Sequence, residues 1–479
     1  MIHDLTPYPA MKDSGVPWLG PVPEHWDIQR GKKLFRVVDI RSRQGTEELL
    51  TVSSERGVIP RSTAKVTMFQ AESYKGHKLC WPDDLVINSL WAWSRGLGVA
   101  QHHGIISTAY SVYRIKDKEE VLPAFINSLV RSSPFQWELQ VRSKGVWISR
   151  LQLTDDSFLD APFPLPSPDE QAAIVRFLDH ADRRIRRTIA AKQRLIKLLQ
   201  EQKQVIIHQA VTRGLDPNVK LKPSGVEWLG DVPEGWEVVP LHRLSSARCD
   251  GPFGSNLKSV HYVEEGVRVV RLQNIGHGEF KGGSAAYISE AHGGTLGDHW
   301  VKEGDLLIAG LGDDRHPAGR ACVAPQGIEP AIVKADCFRF RLFRQRVLPE
   351  FAALQLTATS KSAGAVLSTG STRQRTNLLT TGGKVLALPK VAIQERIMES
   401  LQAGLAPLKL AEERAQQEIA LLREYRTRLI ADVVTGKLDV RGAAALLPEL
   451  GAEALPDEVQ ADVDELDADE VEVEEGVEA

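Results

Sequence analysis

The sequence has little of what marks secreted, metal-binding or membrane proteins. Its 479 residues include only four cysteines, with no CxxC pair and no regular spacing, so neither a disulfide framework nor a zinc site is expected. No apolar run approaches the roughly 18 residues of a membrane-spanning helix. No signal peptide is evident at the amino terminus. We therefore expect a cytoplasmic protein that does not interact with membranes.

Motifs for catalysis are also missing. No GxxxxGK[ST] loop for ATP is present, and residues 160–163 lack the double proline that holds a flipped adenine in a methyltransferase. The acidic pairs Asp83-Asp84 and Asp313-Asp314 follow a proline and a glycine, a composition that favours turns over the metal site of a nuclease. We therefore predict a non-catalytic chain with no cofactor or metal of its own.

Charge is distributed unevenly along the chain. The formal net charge is -4, yet residues 448–479 contain 14 acidic residues and no basic one. Subtracting those 14 from the 63 acidic residues leaves 49 against 59 basic ones, so the rest of the chain carries about +10. A block of like charges repels itself, which predicts a disordered acidic tail. The basic remainder is compatible with nucleic acid as a partner.

The chain contains an internal duplication. Residues 12–28, KDSGVPWLGPVPEHWDI, are identical to residues 222–238, KPSGVEWLGDVPEGWEV, at 11 of 17 positions, with an offset of 210. A second set of matches has a constant offset of 223 and comprises Leu165 with Leu388, Pro166 with Pro389, Gln171 with Gln394, Ile174 with Ile397, Leu178 with Leu401, Thr212 with Thr435, Leu215 with Leu438 and Asp216 with Asp439. Each repeat therefore has an opening segment, a variable globular stretch and a closing block.

The closing blocks have the periodicity of long helices. In the first block, apolar residues recur mostly three and four positions apart, with start signals at Ser167 and Pro168 and a stop signal at Gly214. About 45 residues at 1.5 Å each reach roughly 65 Å, too long for burial in one domain. We expect antiparallel pairing with the second block, in which Pro407 predicts a break or kink. The alternative is that each helix packs on its own globular stretch.

The globular stretches are predicted to be α+β domains. Short β-rich runs lie at 84–88, 109–115, 267–272 and 305–308, and helical runs at 123–130 and 349–356. The predicted domains are a first globular domain at 1–166, a first long helix at 167–214, a second globular domain at 215–388, a second long helix at 389–437 and the acidic tail at 438–479. The expected fold class is α+β with internal pseudo-twofold symmetry.

Loops that combine arginine, amide and aromatic side chains with glycine are the candidate contacts to nucleic acid. Arginine and glutamine match the edges of guanine and adenine, while hydroxyls and lysines suit phosphates. Such loops lie at 91–95, 143–150, 251–258 and 371–377, although each also has the composition of an ordinary surface loop. The candidate DNA-binding residues are Trp91, Trp93, Arg95, Lys144, Arg150, Lys258, Arg373, Gln374 and Arg375.

Together these segments resemble the specificity subunit of type I restriction-modification systems over about residues 8–440. The resemblance rests on the repeated SGVxWLGxVPExW opening, WPDDLVINSLWAW and GIISTAYSVYRI in the first globular stretch, GPFGSNLKS and VRVVRLQNI in the second, and the closing blocks from LPSPDEQAAIV to TRGLD and from LPKVAIQERIM to TGKLD. The second copy departs from the usual closing pattern at Pro407 and at residues 391–393. The acidic tail is not part of that pattern.

The resemblance implies a non-catalytic subunit that recognises double-stranded DNA. Two target-recognition domains would each contact half of a bipartite site, separated by two long antiparallel coiled-coil helices. Two modification (methyltransferase) subunits and restriction (translocase-nuclease) subunits would be the partners, and S-adenosylmethionine, ATP and magnesium are expected on them. Features common to both copies, such as Trp18 with Trp228 and Trp26 with Trp236, should be structural. The alternatives are a self-contained DNA methyltransferase or nuclease, and a coiled-coil adaptor for proteins.

Overall fold

Helices and strands are both abundant in the computed structural model, which describes residues 5–64, 73–145, 151–313, 315–367 and 374–448. The chain divides into two units. The first comprises Met1–Leu195 and Arg414–Ala479, and the second comprises Ile196–Glu413. The expected mixture of helix and strand is confirmed. Within the described ranges, no helix has both the length and the apolar character needed to cross a membrane.

A four-stranded antiparallel sheet forms the centre of the first unit. Its strands, rich in β-branched and aromatic residues, lie in the order Phe35–Val37, Tyr110–Ile115, Leu85–Asn88, Leu97–Val99. The adjoining helices are Gly31–Leu34, Pro123–Val130, Ser133–Arg142 and Asp155–Leu159. Phe125, Phe135, Phe158 and Phe163 fill the core and are 0% exposed. The strands predicted at 84–88 and 109–115 and the helix predicted at 123–130 are confirmed.

Shorter antiparallel pairs complete the first unit. They are Met11–Asp13 with Pro21–Pro23, Asp27–Arg30 with Pro162–Leu165, Leu50–Ser53 with Gly57–Pro60, and Lys78–Cys80 with Gly104–Ile106. The pair that joins Asp27–Arg30 to Pro162–Leu165 brings the end of the opening segment to the start of the closing block. The globular stretch between these two segments therefore begins and ends at the same pair of strands.

The second unit contains an equivalent four-stranded antiparallel sheet. It also contains a five-stranded sheet. The repeated sheet has the order Ser245–Cys249, Cys337–Leu342, Leu306–Ala309, Ala321–Val323. The added five-stranded sheet has the order Tyr262–Val263, Tyr287–Ile288, Val267–Val270, Ala331–Val333, Trp300–Val301. The remaining pairs are Leu221–Pro223 with Asp231–Pro233, Glu237–Pro240 with Val385–Leu388, and Leu311–Gly312 with Gln374–Arg375. The helices are Glu290–Thr295, Pro349–Leu367 and Leu378–Gly383.

The first long helix, Pro168–Arg213, begins and ends where the sequence predicts. Asp169 and Glu170 lie in its first turn, where carboxylates interact favourably with the helix dipole. Gly214 follows its end with a φ of +81°, a left-handed conformation that glycine adopts without strain. Local signals were therefore sufficient to place this helix.

The second long helix, Val391–Val434, continues through Pro407. The predicted break does not occur. A proline inside a helix costs about 3 kcal/mol because it removes a backbone hydrogen bond and crowds the preceding turn. Leu401 and Leu405 before the proline are buried in the core of the second unit, and Leu408 after it packs against the same core. Burial of this continuous apolar stripe offsets the cost.

Polar contacts join the two long helices within each unit. In the first unit, Arg426 is paired with Asp182, and Lys192 with Glu418. The partner number falls as the residue number rises, so these segments run in opposite directions. In the second unit, Glu412 accepts hydrogen bonds from Gln200 at 2.7 Å and Lys203 at 2.5 Å.

The segment after the second long helix packs on the first unit. Its helix Arg441–Ala445 is flanked by Val440 and Leu447, which are 0% and 8% exposed within the core. Asp439 also donates its backbone N–H to the Thr6 carbonyl at 2.9 Å. The described part of the predicted tail, residues 438–448, is therefore part of the packed unit. Residues 449–479 lie outside the described residues.

Candidate nucleic-acid interface

The same buried ion pair recurs in the four-stranded sheets of both units. Asp84 and Asp305 each lie in the turn before a strand of the four-stranded sheet. Asp84 accepts two hydrogen bonds from Arg114, both at 2.7 Å, and Asp305 accepts two from Arg341 at 2.9 and 2.8 Å. The carboxylates are 1% and 2% exposed. Because two-pronged charge-assisted bonds fix geometry, each pair fixes the start of its strand against the neighbouring strand, and the prediction of a turn at Asp83-Asp84 is confirmed.

Two buried glutamines, one near the start of each long helix, form equivalent hydrogen bonds in the two repeats. The Gln171 amide donates to two backbone carbonyls and accepts one backbone N–H, at 2.8 to 2.9 Å. The Gln394 amide makes the same three bonds at 2.9 to 3.1 Å. Trp26 and Trp236 are likewise buried, at 0% and 6% exposed. The burial of these shared residues fits the structural role that the resemblance implies for features common to both copies.

The candidate residues of the first unit include the turn at Trp91, Trp93 and Arg95. Trp91 is 48% exposed, whereas the Trp93 indole N–H donates to the Leu90 carbonyl at 2.9 Å. Arg95 has a φ of +60° and pairs with Glu55 at 3.0 Å. Trp91 thus presents an exposed aromatic face of the kind that stacks on bases, while Trp93 and Arg95 also hold the turn together.

A half-buried arginine that the sequence did not reveal connects this turn to a second loop. Arg131 donates to the backbone carbonyls of Leu97, Ser54 and Glu55 at 2.6 to 2.8 Å. Burial lowers the pKa of Arg131 to about 10. These partners lie 34 to 77 residues away along the chain, so no local pattern signals the contact. Arg131 and Glu55 position the candidate surface without being exposed on it.

Lys144 lies at the base of a neighbouring loop. It is exposed, and its backbone forms two hydrogen bonds with Gln152 at 2.9 and 3.0 Å. The adjacent Leu153 N–H donates to the Ser89 carbonyl at 2.9 Å, which joins this base to the Trp91 turn. Arg150 lies outside the described residues. The two loops predicted separately for the first unit therefore share a support.

In the second unit, two candidate loops line one cavity of about 230 Å³. Phe253 comes from the loop at 251–258, and Arg375 comes from the loop at 371–377. Both side chains are largely exposed, at 52% and 59%. The cavity is lined by Asp250, Phe253, Asp336, Arg375, Thr376, Asn377 and Thr380. An aromatic face, a guanidinium and an amide thus converge on one surface depression, a combination suited to base edges and phosphates.

Two carboxyl groups line this cavity together with the arginine. Arg375 pairs with Asp336 at 3.1 Å, and Asp336 has a left-handed φ of +63°. The Asp250 carboxylate accepts the backbone N–H groups of Gly251 at 2.7 Å and Asp336 at 3.0 Å. Burial, with a smaller contribution from the negative charge of Asp336, raises the pKa of Asp250 to about 6. The cavity therefore carries both donors and acceptors for a polar ligand.

The other candidates of the second unit occupy different surroundings. Gln374 is half-buried, and its Oε1 accepts the Ala318 N–H at 3.3 Å. Lys258 is exposed and does not line the cavity, while its backbone N–H donates to His261 at 3.1 Å. Arg373 lies outside the described residues. The structure thus brings Arg375 together with Phe253 and gives Gln374 a supporting contact.

Within the described ranges, no group of three or more His, Cys, Asp or Glu side chains is placed to hold a metal ion. Asp313 instead accepts the backbone N–H groups of Arg315 and His316 at 2.9 and 2.6 Å, in the manner of a turn. Asp314 lies outside the described residues.

Comparisons with known proteins point to one class. No protein-family model matches the chain. The specificity subunit of the type I restriction enzyme MjaVIII from Methanocaldococcus jannaschii is 23% identical over 303 residues, which is 60% of this chain and 64% of the relative. The alignment therefore spans a little under two thirds of that relative's length.

Solved structures were matched over most of the chain. A chain from a study of complex assembly and conformational transition in the type I R-M system has a TM-score of 0.61 and 16% identity, covering 87% of this chain and 99% of that one. The HsdS subunit from Thermoanaerobacter tengcongensis has a TM-score of 0.43 and 17% identity, covering 87% and 98%. The first match shows a shared fold. The resemblance to type I specificity subunits predicted from the sequence is confirmed.

Proposed function

We propose that this relative of type I restriction specificity subunits is the sequence-specific DNA-binding subunit of a type I restriction-modification complex. It is non-catalytic and cytoplasmic. Two modification subunits and the restriction subunits are its partners, and they carry the S-adenosylmethionine, ATP and magnesium that the reactions need. Its own task is to recognise a bipartite DNA target and to hold the catalytic subunits on it.

The observation that most supports this proposal is that the two units share the same buried contacts but carry different exposed loops. The Asp84–Arg114 and Asp305–Arg341 pairs and the two buried glutamines recur. The exposed residues of the loops differ, with Trp91 in one unit and Phe253 with Arg375 in the other. A repeated frame with different loops suits a protein that contacts two different half-sites.

The domain boundaries predicted from the sequence belong to this proposal. The first and second globular domains, at 1–166 and 215–388, act as target-recognition domains. The long helices at 167–214 and 389–437 act as an antiparallel coiled coil that sets the distance between the half-sites. The opposed contacts of Asp182 and Lys192 with the second long helix support this arrangement.

The candidate DNA contacts are those predicted from the loops, with different degrees of support. Trp91, Lys144, Lys258 and Arg375 have exposed side chains that can meet DNA directly. Trp93, Arg95 and Gln374 are half-buried and engaged within the loops. We assign the first group to DNA contact and the second to shaping the loops. Arg150 and Arg373 complete the proposed set from outside the described residues.

Retention of labelled DNA in the presence of excess competitor tests this function. The complex of this chain with its modification subunits should retain duplexes of one bipartite sequence selected from a random library, because specific binding typically exceeds non-specific binding by at least about a thousand-fold. Omission of this chain should abolish the selection. If no sequence is enriched, the chain is an adaptor for proteins. If the chain alone methylates or cleaves DNA, it is an enzyme.

A further inference from the structure

A stripe of basic side chains lies on one face of the first long helix. Arg176, His180, Arg183, Arg187 and Arg194 are separated by four, three, four and seven residues. At 3.6 residues per turn, these spacings place them within about 60° of one another around the helix axis. All five belong to the first unit. We call them the arginine stripe.

The arginine stripe lies opposite the face that the helix buries. Leu178, Ile185 and Ile189 are 5 to 6% exposed, and their positions are close to half a turn from the stripe. Arg183 and Arg194 are exposed. No Asp or Glu occurs from residue 183 to residue 200. Asp179 lies close enough to Arg183 to interact with its charge, but the basic side chains outnumber it, so the stripe keeps a positive potential that attracts a polyanion.

The acidic segment of the same chain begins beside the arginine stripe. Leu447 packs in the core of the first unit, and its carbonyl accepts a hydrogen bond from Arg176. The next residues, 449–479, contain 14 acidic side chains and no basic one. The stripe spans 18 residues of helix, or about 27 Å. A segment of 31 residues at up to about 3.4 Å each is long enough to follow it completely.

We propose that residues 449–479 bind the arginine stripe within the same chain. Attachment at Leu447 gives the segment an effective concentration on the order of millimolar at the stripe. Carboxylates form their strongest hydrogen bonds with guanidinium groups, so several weak contacts add up under this tether. DNA phosphates would compete for the same surface. Because the tether favours the acidic segment, it shields the stripe from non-specific DNA and leaves binding to the recognition loops.

Cleavage of the full-length chain by a Glu-specific protease tests the proposal without DNA. The acidic segment contains nine glutamates and should be cleaved slowly in about 50 mM NaCl, where the contacts hold, and quickly in about 500 mM NaCl, where charge is screened. Mass spectrometry follows loss of the segment. The R183E/R187E variant should lose it at least about five-fold faster than the unmodified chain at low salt, because opposite charges now repel.

Three further variants keep the result interpretable. K32E/K33E reverses two adjacent exposed lysines elsewhere in the first unit and should keep the slow cleavage. R183K/R187K conserves the positive charge and should keep most of the slow cleavage. D462N/D464N/D467N changes only the acidic segment and should lose the slow cleavage even if R183E/R187E fails to fold. Equal cleavage rates for D462N/D464N/D467N and the unmodified chain would overturn the proposal, as would salt-independent cleavage of the unmodified chain.

Discussion

Replacement of Arg375 by alanine separates DNA recognition from folding. Arg375 is 59% exposed and its ion pair with Asp336 is 3.1 Å long, and such exposed pairs contribute about 0 to 1 kcal/mol. The free energy of unfolding should therefore fall by less than about 1 kcal/mol. A guanidinium that recognises a base contributes about 1 to 3 kcal/mol. We expect roughly 5- to 150-fold weaker binding of the target duplex and tolerance of other bases at one position of one half-site.

The assay is a titration of labelled target duplex with the complex at fixed salt, since phosphate contacts depend on salt concentration. R346A is the matched control, because Arg346 is also exposed in the second unit and paired 3.6 Å from Glu237. D336N should leave affinity at or above its original value by releasing Arg375. The R375A/D336N variant should remain weak if the arginine contacts a base. Equal losses for target and unrelated DNA, or unchanged affinity, would refute the role assigned to Arg375.

Four more predictions follow from the same contacts. Truncation after Leu447 should leave the thermal transition in place, because the packed residues are kept; loss of soluble protein would contradict this. Q171A and Q394A each remove the partner of three backbone groups, one buried and two partly buried, and should cost about 2 kcal/mol or more in urea unfolding. Insertion of four residues after Gln200 adds about one helical turn and should change only the spacer between half-sites, by about one or two base pairs, in methylated-base sequencing. The folded pKa of Asp250, about 6, exceeds its ordinary 3.8, so its contribution to stability is full below about pH 4 and is lost as pH rises through 6; D250N should abolish that decline.

Local sequence signals predicted helices and strands, whereas contacts between residues far apart in the sequence could not be predicted from such signals. The first long helix was placed correctly because its start, periodicity and stop lie within one segment. Of the break or kink expected at Pro407, the break does not occur, because the burial that offsets the cost of the proline comes from the core of the second unit. Arg131 was missed because its partners are distant carbonyls. The composition of the sequence identified the loop that contains Arg375. The convergence of Arg375 and Phe253 on one cavity depends on tertiary structure.

The central claim is that this chain selects the DNA sequence on which its partners act. A map of methylated bases in the host genome, compared with and without the gene for this chain, tests it most directly. We expect deletion to remove methylation from one bipartite motif whose half-sites are separated by a spacer of unspecified sequence, and restoration of the gene to restore that methylation. An unchanged set of methylated motifs after deletion would contradict the account.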